Sequence, residues 1–341
     1  MTQRTLSKCA WAGLTGAALL LTGPLAQAQV VASAQGDSTS DGAASGASDT
    51  AASDSPAAGT DQSGPAPSNI QVPAPAPGPC NSFFSCWKAR SDAAKASQPH
   101  WITPLATVTP RLEQEYRFDA LGENMGNGAH LNNYDGGKGI ELIPDETNEV
   151  LINLPPYEVR SRKKVAEGFG DWGFLTVKQR FLSANEENGN YIVTGFFGVS
   201  APTGVTAFTQ NAWVVTPTLA AGKGWGAFDI QATVGVPIPL SNVHEIGVQI
   251  VNNVTFQLHV DQYFWPEVEF NTTHWTSGPR SGKTQLFFTP GIVIGRLPLT
   301  KNNNLIIGVG YQTALTPKVV LTPALTPTYS NAWLVSSRVT F

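Results

Sequence analysis

Asn331-Ala-Trp-Leu-Val-Ser-Ser-Arg-Val-Thr-Phe341 closes the chain, and its reading decides the fold. Taken by twos, Phe341, Val339, Ser337, Val335 and Trp333 fall on one side of an extended segment. Thr340, Arg338, Ser336 and Leu334 fall on the other. Side chains of a strand alternate between its faces, so this spacing makes one largely apolar face and one mostly polar face. A terminal Phe says little alone, because 16 of the 341 residues are Phe. Its meaning depends on the opposite end of the chain.

There, Arg4 and Lys8 precede an apolar run from Ala10 to Leu21, and Ala26-Gln27-Ala28 has the form of a cleavage site. This is the arrangement of a secretory signal peptide, expected to span 1–28 and to leave a mature chain beginning at Gln29. The apolar run is shorter than the roughly 20 residues a spanning helix needs. Cys9 lies before that run rather than after it, which does not fit a lipoprotein, and is expected to leave with the signal. An export signal joined to a terminal aromatic strand resembles a bacterial outer-membrane β-barrel. In that class the last aromatic residue, here Phe341, belongs to the address read by the barrel-assembly machinery.

Residues 29–79 form a linker that should not fold. It is dominated by Ala, Ser, Gly, Asp, Thr and Pro and has no aromatic residue. Too little apolar surface is available to offset the entropy of ordering. Its prolines from Pro65 to Pro79 stiffen the end toward polyproline II. Residues 80–104 are a short segment containing Cys80 and Cys86, the cysteines left after cleavage. An oxidising periplasm favours a disulfide between them. Lys88 to Ser97 suits a short polar helix, placed either on the periplasmic side or inside the barrel mouth.

From 105 to 341 the chain reads as strands. In Leu112-Gln114-Tyr116-Phe118 the interleaved residues are Arg111, Glu113, Glu115 and Arg117. Lys178 and Arg180 interleave with Val177, Gln179 and Phe181, and Asp229 with Phe228 and Ile230. The run Val248 to Val260 places Gln257 and His259 on its polar parity. Gly, Asn, Pro and Ser clusters separate such runs, giving about twelve strands. The fold class is all-β: a closed antiparallel transmembrane barrel of about twelve strands behind a disordered linker. A soluble sandwich would also alternate. Charges within strands suit a wet lumen, and aromatics near strand ends suit interfacial girdles: Trp172, Tyr191, Trp213, Trp225, Phe264, Trp265, Trp275, Trp333 and Phe341.

Competing chemistries find little support. Gly168-Phe-Gly-Asp-Trp-Gly173 matches a dinucleotide fingerprint by letter, but a strand follows it where a helix is required. The plain reading is a turn. His100, His130, His244, His259 and His274 lack metal-ligand spacing, and no G-x-S-x-G occurs. An outer-membrane phospholipase needs a lipid-facing Ser and His, whereas His259 sits on the inward parity. No enzyme activity, cofactor or metal is expected. A net charge of −4 gives no basic footprint for nucleic acid.

A more specific resemblance rests on Leu154-Pro-Pro-Tyr157, Glu167-Gly-Phe-Gly-Asp171, Phe174-Leu-Thr-Val-Lys-Gln-Arg-Phe-Leu182 and Phe196-Phe-Gly-Val-Ser-Ala-Pro-Thr-Gly204. Tyr263-Phe-Trp-Pro-Glu-Val-Glu-Phe-Asn271 and Thr289-Pro-Gly291 follow in order. This region resembles the outer-membrane family associated with the meta-pathway of phenol degradation. It departs from that pattern where Trp172 and Phe174 stand in place of smaller residues, and the linker and cysteine pair lie outside it. The resemblance implies an outer-membrane barrel that passes small aromatic or hydrophobic compounds.

A twelve-stranded barrel is wider than one filled by its own side chains and narrower than a porin, so a narrow, gated or plugged bore is expected. Its lumen-facing candidates are Arg111, Glu113, Glu115, Arg117, Lys178, Arg180, Asp229, Gln257, His259, Asp261 and Glu269. They either pair with one another or touch cargo. The expected partners are outer-membrane lipid, the assembly machinery and a small-molecule substrate, with the amino-terminal segment in the periplasm. The competing functions are a structural or adhesive barrel acting through its linker or through outer loops at Leu121 to Lys138 and Val205 to Asn211, and a lipid-modifying enzyme.

Overall fold

The computed structural model describes residues 80–134, 138–316 and 329–341. The expected signal peptide and linker lie outside these residues. A helix comes first, α1 (Phe83–Ala96), and an extended segment follows it to Gln114. The strands then begin: β1 (Glu115–Met125), β2 (His130–Tyr134), β3 (Gly139–Leu142), β4 (Asn148–Asn153), β5 (Tyr157–Ser161), β6 (Ala166–Phe169), β7 (Trp172–Ala184) and β8 (Tyr191–Ala201). After these come β9 (Val214–Trp225), β10 (Phe228–Gly235), the short β11 (Ile238–Pro239), the single-turn α2 (Val243–Ile246) and β12 (Gln249–Leu258). The last are β13 (Phe264–Trp275), β14 (Thr284–Pro298), β15 (Asn304–Ala314) and β16 (Tyr329–Thr340).

Antiparallel pairing runs β16-β15-β14-β13-β12-β10-β9-β8-β7-β4-β3-β1, and β1 pairs in turn with β16. These twelve strands form a closed barrel. The closing register runs from Glu115↔Thr340 to Asn124↔Asn331, and Phe341 N donates to Gln114 O. The terminal strand is therefore the seam partner of the first. Closure pairs each of these twelve strands on both sides, as a sheet in hydrocarbon requires.

Along most of the ring strands, clearest in β10, β12 and β13, buried residues alternate with exposed or half-buried ones. Ile152, Val177, Phe197, Leu219, Phe270 and Val309 lie on the exposed parity. Arg117, Lys178, Thr233, Thr255, Glu269 and Arg338 lie on the buried one.

The strands on one side are interrupted. β2 pairs with the upper half of β1 and β3 with its lower half, while β4 and β5, and β6 and β7, continue one another across gaps. Pro155 and Pro156 supply no N–H at the gap after β4. Side chains replace the missing ladder: Asn153 Nδ2 donates to Gly173 O at 2.6 Å, and Trp172 Nε1 donates to Asn153 O at 2.8 Å. The Gly168 to Gly173 motif, expected as a turn, is this interruption itself: Gly168 and Phe169 end β6, Gly170 and Asp171 form the gap, and Trp172 and Gly173 open β7.

Turns 143–147, 185–190, 226–227, 259–263 and 299–303 lie at the end of the barrel where β1 begins and β16 ends. The connections 202–213, 236–248 and 276–283 lie at the other end and are mostly longer. Leu121 to Lys138, expected as an outer loop, is largely β1 and β2. The barrel wall begins at Glu115, later than the boundary near 105 read from the sequence. Trp265 and Trp275 do not join an outer girdle: they are 4% and 0% exposed and face inward. Position near a strand end suggested the interface, but parity decides the direction of the ring.

Candidate functional site

The segment from Gln98 to Gln114 occupies the barrel lumen. It touches side chains of β1, β7, β8, β10, β13, β14 and β16, which only a position inside the ring allows. Helix α1 stands at the short-turn end. Trp87 Nε1 donates to Gln114 Oε1 at 2.8 Å, and Arg180 Nη1 donates to Ala94 O at 2.8 Å. Lys95 Nζ donates to Phe341 O, which ties α1 to the seam. Ser82 caps the helix through a reciprocal capping box with Ser85, and Cys80, just ahead of the helix, is bonded to Cys86 in its first turn.

Beyond α1 the chain enters beside the turn 185–190. His100 N donates to Glu186 Oε1, and the His100 ring meets Glu186 Oε2 at 2.8 Å. Burial opposes ionisation of Glu186, but the hydrogen bonds from His100 outweigh it and hold this carboxyl below its usual range.

An extended chain in a lumen has no neighbouring strand, so its backbone groups must find side-chain partners. Arginines take the carbonyls: Arg338 donates to Thr103 O and, at 2.7 Å, to Pro104 O, while Arg117 Nη2 donates to Leu105 O at 2.7 Å. Carboxylates take the amides. Leu105 N donates to Glu267 Oε1 at 2.9 Å, Ala106 N to Glu269 Oε1 at 2.7 Å, and Thr107 N to Glu269 Oε2 at 2.6 Å. The Thr107 hydroxyl also donates to Glu269. Further along, Thr109 donates to Gln231 at 2.7 Å and Thr194 donates to Pro110 O at 2.6 Å.

The apolar side chains of the segment are seated on glycines of the wall. Leu105 lies over Gly291, Gly308 and Gly310, Ile102 over Gly295, and Trp101 over Gly222 and Gly224. A Cβ added at Gly310 would stand 2.7 Å from Leu105 Cδ1, closer than carbon atoms approach one another. Trp101, Ile102 and Leu105 pack with Ile192, Trp265, Val293 and Ile306 into one apolar cluster inside the barrel. The segment is therefore docked by glycine-floored apolar contacts and by charge-assisted hydrogen bonds together.

The sequence-derived candidates divide between these roles. Arg117 and Glu269 hold the segment. Lys178 pairs with Glu149 at 2.8 Å and donates to Arg111 O at 3.3 Å. Arg180 binds the junction between α1 and the segment, through Ala94 O and Ser97 Oγ. Asp229 Oδ1 accepts from Gln231 Nε2 at 3.0 Å, and Gln257 bridges Gln231 and Glu267. Glu115 is fully buried, and neither of its oxygens has a hydrogen-bond partner among the described residues.

Arg111 and Glu113 belong to the internal segment rather than the wall, and pair with each other at 2.7 Å. His259 and Asp261 are corrections. β12 ends at Leu258, and both residues are exposed in the tight turn that brings Val260 back to Phe264. The His259 ring stacks on Trp265 with centroids 3.9 Å apart. Sequence reading missed Glu267 and Arg338 as binding groups, although both stand on the inward parity of strands it had identified.

No family model matches the chain, and no curated protein matches it. Solved structures that are similar include a COG4313 outer membrane channel from Pseudomonas putida F1, at 13% identity with a TM-score of 0.46, covering 67% of this chain and 96% of that one. An anion-selective porin from Comamonas acidovorans aligns at 10% identity and a TM-score of 0.32, over 66% of this chain and 97% of that one. OmpT, an outer membrane protein of Vibrio cholerae, aligns at 10% identity and 0.28, over 67% and 96%.

Proposed function

We propose that this chain is an outer-membrane channel for small molecules whose bore is obstructed by its own residues 98–114. The observation that carries the reading is the pairing of a closed ring, apolar outside and polar within, with a lumenal segment that meets the wall through side chains up to Glu113 and joins the strand ladder only at Gln114, whose O accepts from Phe341 N. Such a segment can leave up to Glu113 without breaking a strand ladder. The exposed apolar parity is matched to lipid, and charges inside a barrel are matched to water. Short turns on the side of both seam strands, with mostly longer loops opposite, support the short-turn end as the periplasmic one. Helix α1 and the residues before it then lie on the periplasmic side, and Phe341 serves as the assembly signal.

The cargo implied by the sequence resemblance is aromatic or hydrophobic. Phe287 and Tyr329, tilted against each other with centroids 4.8 Å apart, are aromatic rings of the inner face. The test is electrical. Full-length protein purified from outer membranes and placed in planar bilayers should give small conductance steps, enlarged in variants whose segment is loosened. A barrel that stays silent, with and without such loosening, would defeat the channel reading.

A further inference from the structure

We propose that the lumen on the long-loop side of the internal segment carries a binding belt for uncharged molecules with an amide edge, an N–H beside a C=O, as in carboxamides, lactams and ureas. The proposal rests on the channel reading and names a cargo class for it.

The inner wall can be read in levels from its strand register. One level joins Gln231↔Thr255, Thr255↔Glu269 and Glu269↔Thr289, and the segment occupies it through Thr107 and Thr109. The next level, two residues farther along each strand, joins Thr233↔Asn253 and Asn253↔Asn271, with Phe287 opposite Asn271. The segment makes no hydrogen bond there.

Polar groups on that level are buried yet unmatched. Asn253 is 1% exposed, and neither its Nδ2 nor its Oδ1 has a hydrogen-bond partner among the described residues. Gln285, one level higher on β14, is in the same condition at both Nε2 and Oε1. Thr233 Oγ1 is unmatched as well. The orientation of Asn271 is fixed, because its Oδ1 accepts from Gln312 Nε2 at 2.8 Å and from Thr289 Oγ1 at 3.1 Å. Its Nδ2 is left as a donor with no acceptor among the described residues.

Buried polar side chains are rarely left in this state, and a wall that presents several needs an occupant. A primary amide with both its donor and its acceptor free pairs best with another amide edge, through two parallel hydrogen bonds. The groups forming this belt are all uncharged, while Glu269 on the level below is committed to the segment. An anionic ligand would find no countercharge among these groups. Phe287, beside Asn271 and packed at a tilt against Tyr329, supplies an apolar ring next to the amides. An aromatic carboxamide combines both features, so benzamide is a suitable probe.

Full-length protein in detergent would be titrated calorimetrically with benzamide, with acetophenone (the ring and carbonyl without N–H) and with benzoate (the charged isostere). Benzamide should bind saturably, acetophenone about tenfold or more weakly, and benzoate without saturation. Asn253→Ala and Gln285→Ala should each weaken benzamide about tenfold, while Asn252→Ala on the outward parity should change nothing. Heat-dependent gel mobility would confirm that each barrel is folded, and Asn253→Ser supplies a second substitution at that site if Asn253→Ala does not assemble. Equal binding of all three compounds, no saturable binding of benzamide, or inner-wall variants that match wild type would overturn the proposal. A barrel that conducts without this ranking keeps the channel and loses the belt. One that shows the ranking but never conducts keeps the belt and loses the channel.

Discussion

Replacing Glu269 with alanine should release the middle of the internal segment. Its carboxylate accepts from Ala106 N at 2.7 Å, from Thr107 N at 2.6 Å and from the Thr107 hydroxyl. Hydrogen bonds to a charged group contribute about 1.5–3 kcal/mol each when buried. Water entering the shortened site would replace part of that, leaving a net loss of roughly 2–4 kcal/mol in docking, nearer 1 than 2 per bond. At 1.4 kcal/mol per factor of ten, the ratio of docked to released segment falls by about 30- to 700-fold. Two assays read this directly. Single-channel recordings should show larger or more frequent steps than wild type. An Ala106→Cys thiol, half-buried in the docked segment, should react faster with a polar maleimide when Glu269 is also alanine. The strand ladder is untouched, so heat-dependent gel mobility should persist. Unchanged conductance together with unchanged labelling would refute the idea that this carboxylate pins the segment.

Gly308→Ala should loosen the segment by placing a methyl group against Leu105, and adding Leu105→Ala should restore wild-type conductance because the smaller side chain frees that space. Opening the Cys80–Cys86 bond, six residues apart, should cost the first turn of α1 about 2 kcal/mol in chain entropy. Faster amide exchange confined to that turn would show it, with the barrel unchanged. Glu186 has a depressed carboxyl, so the contact it makes with His100 is fully present above the ordinary carboxylate range, near pH 4.3, and is lost as pH falls through its lower folded value. The amide of His100 should therefore lose exchange protection only in that acid range, and an Glu186→Gln variant should show no such step.

Much of the wall was legible because alternation is a direct consequence of strand geometry. Phe228 to Val234 and Gln249 to Leu258 show it without interruption, and there parity placed Asp229 and Gln257 on the buried side. The internal segment was not legible for the same reason. Arg111, Glu113 and Glu115 alternate with Leu112, Gln114 and Tyr116 in one unbroken run, yet only the part from Glu115 enters the wall. A period of two reports an extended chain and is silent on whether its neighbours are strands or side chains. Pro104 and Pro110 were the available sign, since each removes a ladder donor.

The partners of the segment were hidden too, because Glu267 and Arg338 gain their role from sheet closure. Glu267 on β13 and Arg338 on β16 come from distant parts of the chain and act on adjacent residues, Leu105 and Pro104. His259 was misplaced because a tight turn carries the same letters as one more pair of strand residues.

The most direct measurement is the conductance of a Leu105→Cys, Gly310→Cys barrel recorded under oxidising and then reducing conditions, with wild type as the control for the native disulfide. The pair should crosslink in the assembled protein, hold conductance at its lowest level while oxidised, and allow it to rise on reduction. If no crosslink forms, or conductance ignores the redox state, residues 98–114 do not obstruct the bore.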